Sequence, residues 1–155
     1  MSKRDKSKNK APRVVNPRFA KDGEYRQVIG AIGAIGRCPF CPDNFRYHKK
    51  PILRKSGGWI LTENSWPYKN AQKHFIIIAQ DHKEKLDEIH PRDLEAILRL
   101  SKWAIKKYHI RGGALAMRFG ESDNTGATVH HIHAHLISPI LRKDDIAKTV
   151  NFPIG

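Results

Sequence analysis

The sequence predicts an α+β domain, and three stretches carry that reading. His131-Ile132-His133-Ala134-His135-Leu136-Ile137 alternates polar and apolar residues with the period of a half-buried strand. His74-Phe75-Ile76-Ile77-Ile78-Ala79 is a short unbroken apolar run, the mark of a central strand covered on both faces. From Pro91 to Tyr108, the residues Leu94, Ile97, Leu98, Ala104, Ile105 and Tyr108 form one helical stripe, and the proline suits the first turn. Trp103 stands off the centre of that stripe and is expected to reach a neighbouring element or subunit.

A chain of 155 residues can bury one real core but not two. No apolar run approaches the roughly 18 residues of a membrane helix, and the charged start, Met1-Ser2-Lys3-Arg4-Asp5-Lys6, lacks a signal-peptide segment. The expected location is cytoplasmic. The formal net charge of +14 favours anionic partners. Half of that excess lies in residues 1–21, where eight Lys or Arg face a single acid, Asp5. This segment reads as a basic, disordered tail ahead of one domain over residues 22–155. It is either a solubiliser or an arm that contacts nucleic acid phosphates.

Taken in order, Tyr25, Val28, Ile29 and Ile32 have the spacing of a short helix, interrupted by Gly30, Gly33 and Gly36. These glycines do not form a dinucleotide fingerprint. Arg37-Cys38-Pro39-Phe40-Cys41-Pro42 holds the only two cysteines. A Cys-x-x-Cys pair is either a metal knuckle or a redox dithiol. The turn-like Pro42-Asp43-Asn44 and the abundance of downstream histidines favour the metal. Residues 58–63 read as a strand and 64–70 as a loop. Helical sequence is expected to begin at Gln80-Asp81-His82, and Gly112-Gly113 closes the long helix. Ala114 to Phe119 gives another strand, Gly120 to Gly126 a polar loop, and Val150 to Ile154 a last short strand. His48, His90 and His109 are expected at the surface or at caps, and His130 on the far side of its strand. Arg118 and the Trp66-Pro67 loop are assigned to fold and surface.

Four of the nine histidines fall within six residues, and His131, His133 and His135 are expected to share one face. Same-face neighbours on a strand are roughly 6.5–7 Å apart, so three imidazoles can surround one small group. Imidazole titrates near neutrality, ligates metals and attacks phosphorus.

The pattern His131-Ile-His133-Ala-His135-Leu-Ile137 resembles the signature of the histidine triad (HIT) superfamily. Gly126-Ala127-Thr128-Val129 is similar to its Gly-Gln-Ser/Thr-Val lead-in. His74, an apolar run and His82 resemble its Gly-His-x-φ-φ-φ-Pro-x-x-His block, with the same eight-residue interval. Cys38-x-x-Cys41 resembles the knuckle of the zinc-containing branch. The resemblance covers roughly residues 36–140.

It implies a roughly five-stranded antiparallel sheet with two helices, often as a homodimer. It implies that His133 attacks the α-phosphorus of a nucleotide while its other ring nitrogen donates to the main-chain carbonyl of His131. His135 and His74 then support phosphate and nucleophile, Thr128 lies near the leaving group, and Gly126 and Asn64 bind substrate, Asn64 at the ribose hydroxyls. The zinc branch implies a closed, structural Cys2His2 set of Cys38, Cys41, His82 and His131. Two positions depart from the pattern: Ala127 replaces a frequent Gln, and Gly120 stands where phosphoramidase-like members tend to have Asn.

The expected activity is that of a nucleotidyl hydrolase or transferase. Its substrate classes are dinucleoside polyphosphates, nucleoside phosphoramidates and adenylylated adducts. Two alternatives use the same pocket differently: an aprataxin-like enzyme that processes nucleic acid ends through the basic arm, and a nucleotide-binding scaffold without catalysis.

Overall fold

A computed structural model of the chain describes residues 13–20 and 23–155. Five strands form one antiparallel sheet: β1 (Ile52–Ser56), β2 (Trp59–Glu63), β3 (Ala71–Ala79), β4 (Ala114–Met117) and β5 (His133–Pro139), in the order β1-β2-β3-β5-β4. Two main helices accompany it, α1 (Glu24–Ile35) and α2 (Pro91–Lys107), with a single turn, α3 (Ser122–Thr125), before β5. This is the expected α+β class with the expected five strands. Among the described residues, no helix is long and apolar enough to cross a membrane.

Strand register explains the chemistry of the two sheet faces. In β3 and β5, Ile76 pairs with His135 and Ile78 with His133, while Phe75 pairs with Leu136 and Ile77 with Ala134. Residues opposite one another share a face, so the histidines and the core residues separate cleanly. Phe75, Ile77, Ala134 and Leu136 meet α2 in the main core with Trp59, Leu61 and Leu100. On the other face, Phe40 and Phe45 pack against Ile60, Ile76 and Ile78, and α1 builds a separate cluster in which Ile29 and Ile32 meet Val15, Cys38 and Val129.

The buried arc of α2 is turned relative to the expected stripe. Ala96, Ile97, Leu100, Ser101 and Ala104 face the sheet, whereas Leu94 and Leu98 are 54% and 49% exposed. Small residues decide this: Ala96 and Ala104 bring the helix close to the sheet, and a Cβ at Gly57 in the β1–β2 turn would stand 2.9 Å from the Ala96 Cβ. Trp103 stays within the chain, packed on the core with the Arg54 guanidinium over its ring.

Asp93 anchors α2. Its carboxylate accepts the His90 N–H at 2.9 Å and the Trp59 indole N–H at 2.9 Å, with Lys83 at 3.8 Å. Burial alone would raise this carboxyl; the two hydrogen bonds and the lysine charge outweigh it and hold the group below its usual range. Asp93→Ala is therefore expected to cost roughly 2–4 kcal/mol in chemical denaturation. A depressed carboxyl stabilises the fold above its unfolded pKa and loses that contribution as pH falls through its folded value. The gap between wild type and variant should narrow below about pH 4. A gap that does not depend on pH would reject this account.

Several expectations are corrected. Residues 13–20 do not behave as a tail: Val15 is 2% exposed, forms a bridge to Val129, and is followed by Asn16, whose N–H donates to the Thr128 carbonyl at 2.7 Å. The Asn16 amide also donates to Ser122 Oγ at 2.9 Å. Counting charge over residues 1–21 hid this apolar pair. Residues 1–12, 21 and 22 lie outside the described residues, as does the rest of the tail expectation. Residues 80–90 are loop with one 3-10 turn (Leu86–Glu88), and the helix begins at Pro91. No strand forms over 150–154. β1 had no counterpart in the sequence reading, because a mostly exposed edge strand has little apolar alternation to reveal it.

Candidate active site and metal centre

His133 opens β5, and its ring is fixed from behind. The His131 carbonyl lies 2.8 Å from His133 Nδ1. A carbonyl only accepts, so Nδ1 carries the hydrogen and Nε2 keeps its lone pair. Nε2 belongs to a cavity between the sheet and α1. Burial, together with the Arg118 charge, pushes the imidazole down to about 4, so the ring is neutral at pH 7.

His74 and His135 form a second relay beside it. The Tyr68 N–H donates to His74 Nδ1 at 3.1 Å, and His74 Nε2 lies 2.9 Å from His135 Nδ1. With both rings neutral, His74 Nε2–H donates to His135 Nδ1, and the remaining hydrogen of His135 is on its Nε2. The His133 and His135 ring centres are 4.7 Å apart. A nucleophilic nitrogen and a donor thus share one wall.

The other expected residues fall around the same cavity. Thr128 and Gly126 line it, as does Asn64. Gly126 caps α3 at φ +68, a left-handed conformation that a side chain would strain. The Asn64 amide is engaged at both ends: its oxygen accepts the Trp66 N–H at 2.9 Å, and its nitrogen donates toward His74 Nδ1 at 3.4 Å. It braces His74 as well as facing the cavity.

Three aromatic walls and one cation escaped the sequence reading. Tyr25 and Trp66 meet at 4.8 Å, and Phe40 stands edge-on to His133 at 5.0 Å. Trp66 and Arg118, assigned above to surface and fold, both line the cavity. Loop residues have no periodicity to betray such a role. His48 is half-buried rather than superficial, with Nε2 2.7 Å from Thr62 Oγ1, whereas His90 is the cap of α2.

His131, the first of the triad, does not join the other two. It lies just before β5, buried, with Nδ1 3.3 Å from Cys38 Sγ and 3.8 Å from Cys41 Sγ. His82 Nδ1 is 3.4 Å from Cys41 Sγ. The four ligand atoms of Cys38, Cys41, His82 and His131 lie within 4.8 Å of one another. Tetrahedral zinc with Zn–S of about 2.3 Å and Zn–N of about 2.0 Å requires S···N edges near 3.5 Å, so the donor set fits that ion. The outer nitrogens are also held, His131 Nε2 by the Ala79 carbonyl at 2.7 Å and His82 Nε2 by Glu84 at 2.9 Å. A carbonyl or carboxylate that accepts from the outer nitrogen fixes the tautomer and leaves Nδ1 free to face a metal. Gly36 ends α1 at φ +72 and turns the chain directly into the cysteine knuckle.

No protein-family model matches the sequence, and no curated protein matches it. Solved structures do match. One is a HIT family hydrolase from Clostridium thermocellum, with TM-score 0.53 and 23% identity over 67% of this chain and 91% of that one. A histidine triad nucleotide-binding protein from Candida albicans matches with TM-score 0.56 and 22% identity, over 77% and 85% of the two chains. A Zn-bound histidine triad family protein from Mycobacterium smegmatis matches with TM-score 0.53 and 19% identity, over 75% and 83%.

The chain has the histidine triad fold.

Within that fold, the triad of this chain divides its labour by position. His133 and His135 face the cavity. His131 turns to the cysteines and lends only its carbonyl to the site.

Proposed function

We propose that this histidine triad protein is a nucleotidyl hydrolase or transferase that works through a covalent nucleotidyl-histidine on His133. The observation that carries the reading is the His133 ring itself, pinned through Nδ1 to the His131 carbonyl with a neutral Nε2 in the cavity. Nε2 attacks the α-phosphorus, the bond from phosphorus to the leaving group breaks, and the leaving group takes the electron pair. The Nε2–H of His135 donates to a phosphoryl oxygen as negative charge spreads over the transition state. Water then releases the nucleotide from His133. The aromatic wall of Tyr25, Trp66 and Phe40 supplies a stacking surface for a nucleobase. Similarity in fold to a HIT family hydrolase and a histidine triad nucleotide-binding protein supports the same class.

Zinc belongs to the proposal as a structural ion on Cys38, Cys41, His82 and His131. All four positions of a tetrahedron are filled by protein, so the ion supplies no open site and no chemistry to the reaction. Its effect is mechanical, since it holds the residue whose carbonyl orients His133.

The test is incubation with diadenosine polyphosphates and adenosine phosphoramidate, with trapping of the nucleotidyl-protein adduct. Turnover equal to that of His133→Ala on every substrate would leave only a binding scaffold. A second reading, in which the substrate is the end of a polynucleotide, is favoured by one observation. The Val14 carbonyl accepts the His130 N–H and the Asn16 N–H donates to the Thr128 carbonyl, so the described chain from Arg13 onward runs beside the site. Removing residues 1–12 should then weaken polynucleotide binding and flatten its salt dependence. Equal binding by the truncated chain would reject the arm.

A further inference from the structure

Arg118 lies between two hollows. It lines the main cavity with His133 and His135, and it lines a smaller recess with His133, Gly120, Thr125 and Ala127. Its guanidinium is held on one side only. Nε donates to the Pro153 carbonyl at 2.9 Å, Nη2 donates to the same carbonyl and to the Tyr68 hydroxyl at 3.3 Å, and the Phe152 ring covers the group at 3.9 Å. Among the described residues, Nη1 has no hydrogen-bond acceptor, and no carboxylate forms an ion pair with the guanidinium. The one acidic side chain on the recess, Glu84, is bonded to His82.

At two points the wall of the recess carries almost no side chain. A Cβ at Gly120 would meet nothing within 4 Å, and Ala127 contributes a single methyl carbon. Segment 150–155 lies on the main cavity, which Pro153 lines, with the Phe152 ring 5.1 Å from His135 and the Gly155 carbonyl against Gly126. A partly buried cation, clamped by that strap on the wall of the cavity that also holds His133 and His135, is a preorganised anion site.

We infer that Arg118, held by Phe152 and Pro153, binds the phosphate of an anionic leaving group and makes the enzyme selective for polyphosphate-linked nucleotides over phosphoramidates. This rests on the His133 reading above. The chemistry separates the two substrate classes. When a phosphoanhydride is cleaved, the His133 Nε2–P bond forms, the P–O bond breaks, and its electron pair stays on the bridging oxygen of the departing phosphate. That group needs charge compensation and no proton. When a phosphoramidate is cleaved, the departing nitrogen needs a proton, which a guanidinium cannot supply at neutral pH. Arg118 therefore assists the first reaction and not the second. It also replaces, from another position, the polar side chains that residues 120 and 127 lack.

The experiment compares kcat/KM for diadenosine tetraphosphate and adenosine phosphoramidate in wild type, Arg118→Gln, Arg118→Lys and Phe152→Ala, with melting temperature as the check on folding. Arg118→Gln should lose about 100-fold on the tetraphosphate and less than about threefold on the phosphoramidate. Arg118→Lys should recover part of the loss, and Phe152→Ala should fall between. Equal losses on both substrates would overturn the inference while leaving the His133 reading intact. A binding arm is independent of turnover: calorimetry with inorganic tripolyphosphate on the same variants and on Lys102→Gln, an exposed lysine of α2. Arg118→Gln should weaken binding about tenfold and Lys102→Gln hardly at all. Equal weakening by the two variants would reject the site, whatever the fate of the covalent intermediate.

Discussion

Replacing His133 with alanine should leave a folded chain that turns over nucleotide substrates about 10⁴-fold or more slowly and forms no nucleotidyl adduct. The size follows from what is lost. The cavity, the His135 donor and the aromatic wall all survive, so binding should change little and the deficit should appear in kcat. A water molecule has no fixed position equivalent to Nε2, whose direction is set by the Nδ1 bond to the His131 carbonyl. Single-turnover kinetics with an adduct trap provide the measurement. An adduct that persists in the variant would mean that another residue bonds phosphorus, and the assignment to His133 would fall.

Loss of the metal should produce the second large effect, and of a different kind. Cys38→Ser or Cys41→Ser is expected to reduce bound zinc from about one per chain to none. The stability cost should be roughly 4 kcal/mol, about 10 °C in melting temperature for a chain of this size. Cys38 is buried between α1 and His131, and in either variant this corner keeps one thiol, one hydroxyl and two imidazoles with no ion to join them. Turnover should fall less than stability, by about tenfold, because His133 keeps its ring and loses only the rigidity of its anchor. Metal analysis, thermal unfolding and initial rates on the same preparations separate the two effects. Unchanged stability in a zinc-free variant would mean that the four residues meet for another reason.

The two predictions differ because two consecutive triad histidines have different surroundings. His131 ends in a sulfur-lined corner, and His133 begins the strand over an open cavity. Sequence alternation places both on one face, as on an ideal strand. The structure starts β5 only at His133, and the irregular backbone before it lets His131 turn toward the knuckle. Periodicity describes regular segments, and the point where a segment stops being regular is set by what it packs against.

Helix α2 teaches the same lesson about energy. Its hydrophobic residues span a broad arc, and the pattern marks an apolar side without choosing the centre of contact. Ala96 and Ala104 take that position, fully buried, while Leu94 and Leu98 stay exposed, because small side chains let the helix approach the sheet closely. The strand histidines and the cysteine pair were easier to find, and the resemblance to the histidine triad signature implied which of them meet.

By itself, the sequence determined the α+β class, the central strand, the long helix and the histidine-bearing strand, while the four ligands were implied only by its resemblance to the histidine triad signature. Local pattern suffices for these because hydrophobic period and short-range spacing act within one element. Only the tertiary structure decided that residues 13–20 join the domain and that Arg118 meets Phe152 and Pro153 beside the nucleophile. Those contacts join segments far apart in the chain, and their partners are chosen by the packing of the whole sheet, which no local pattern contains.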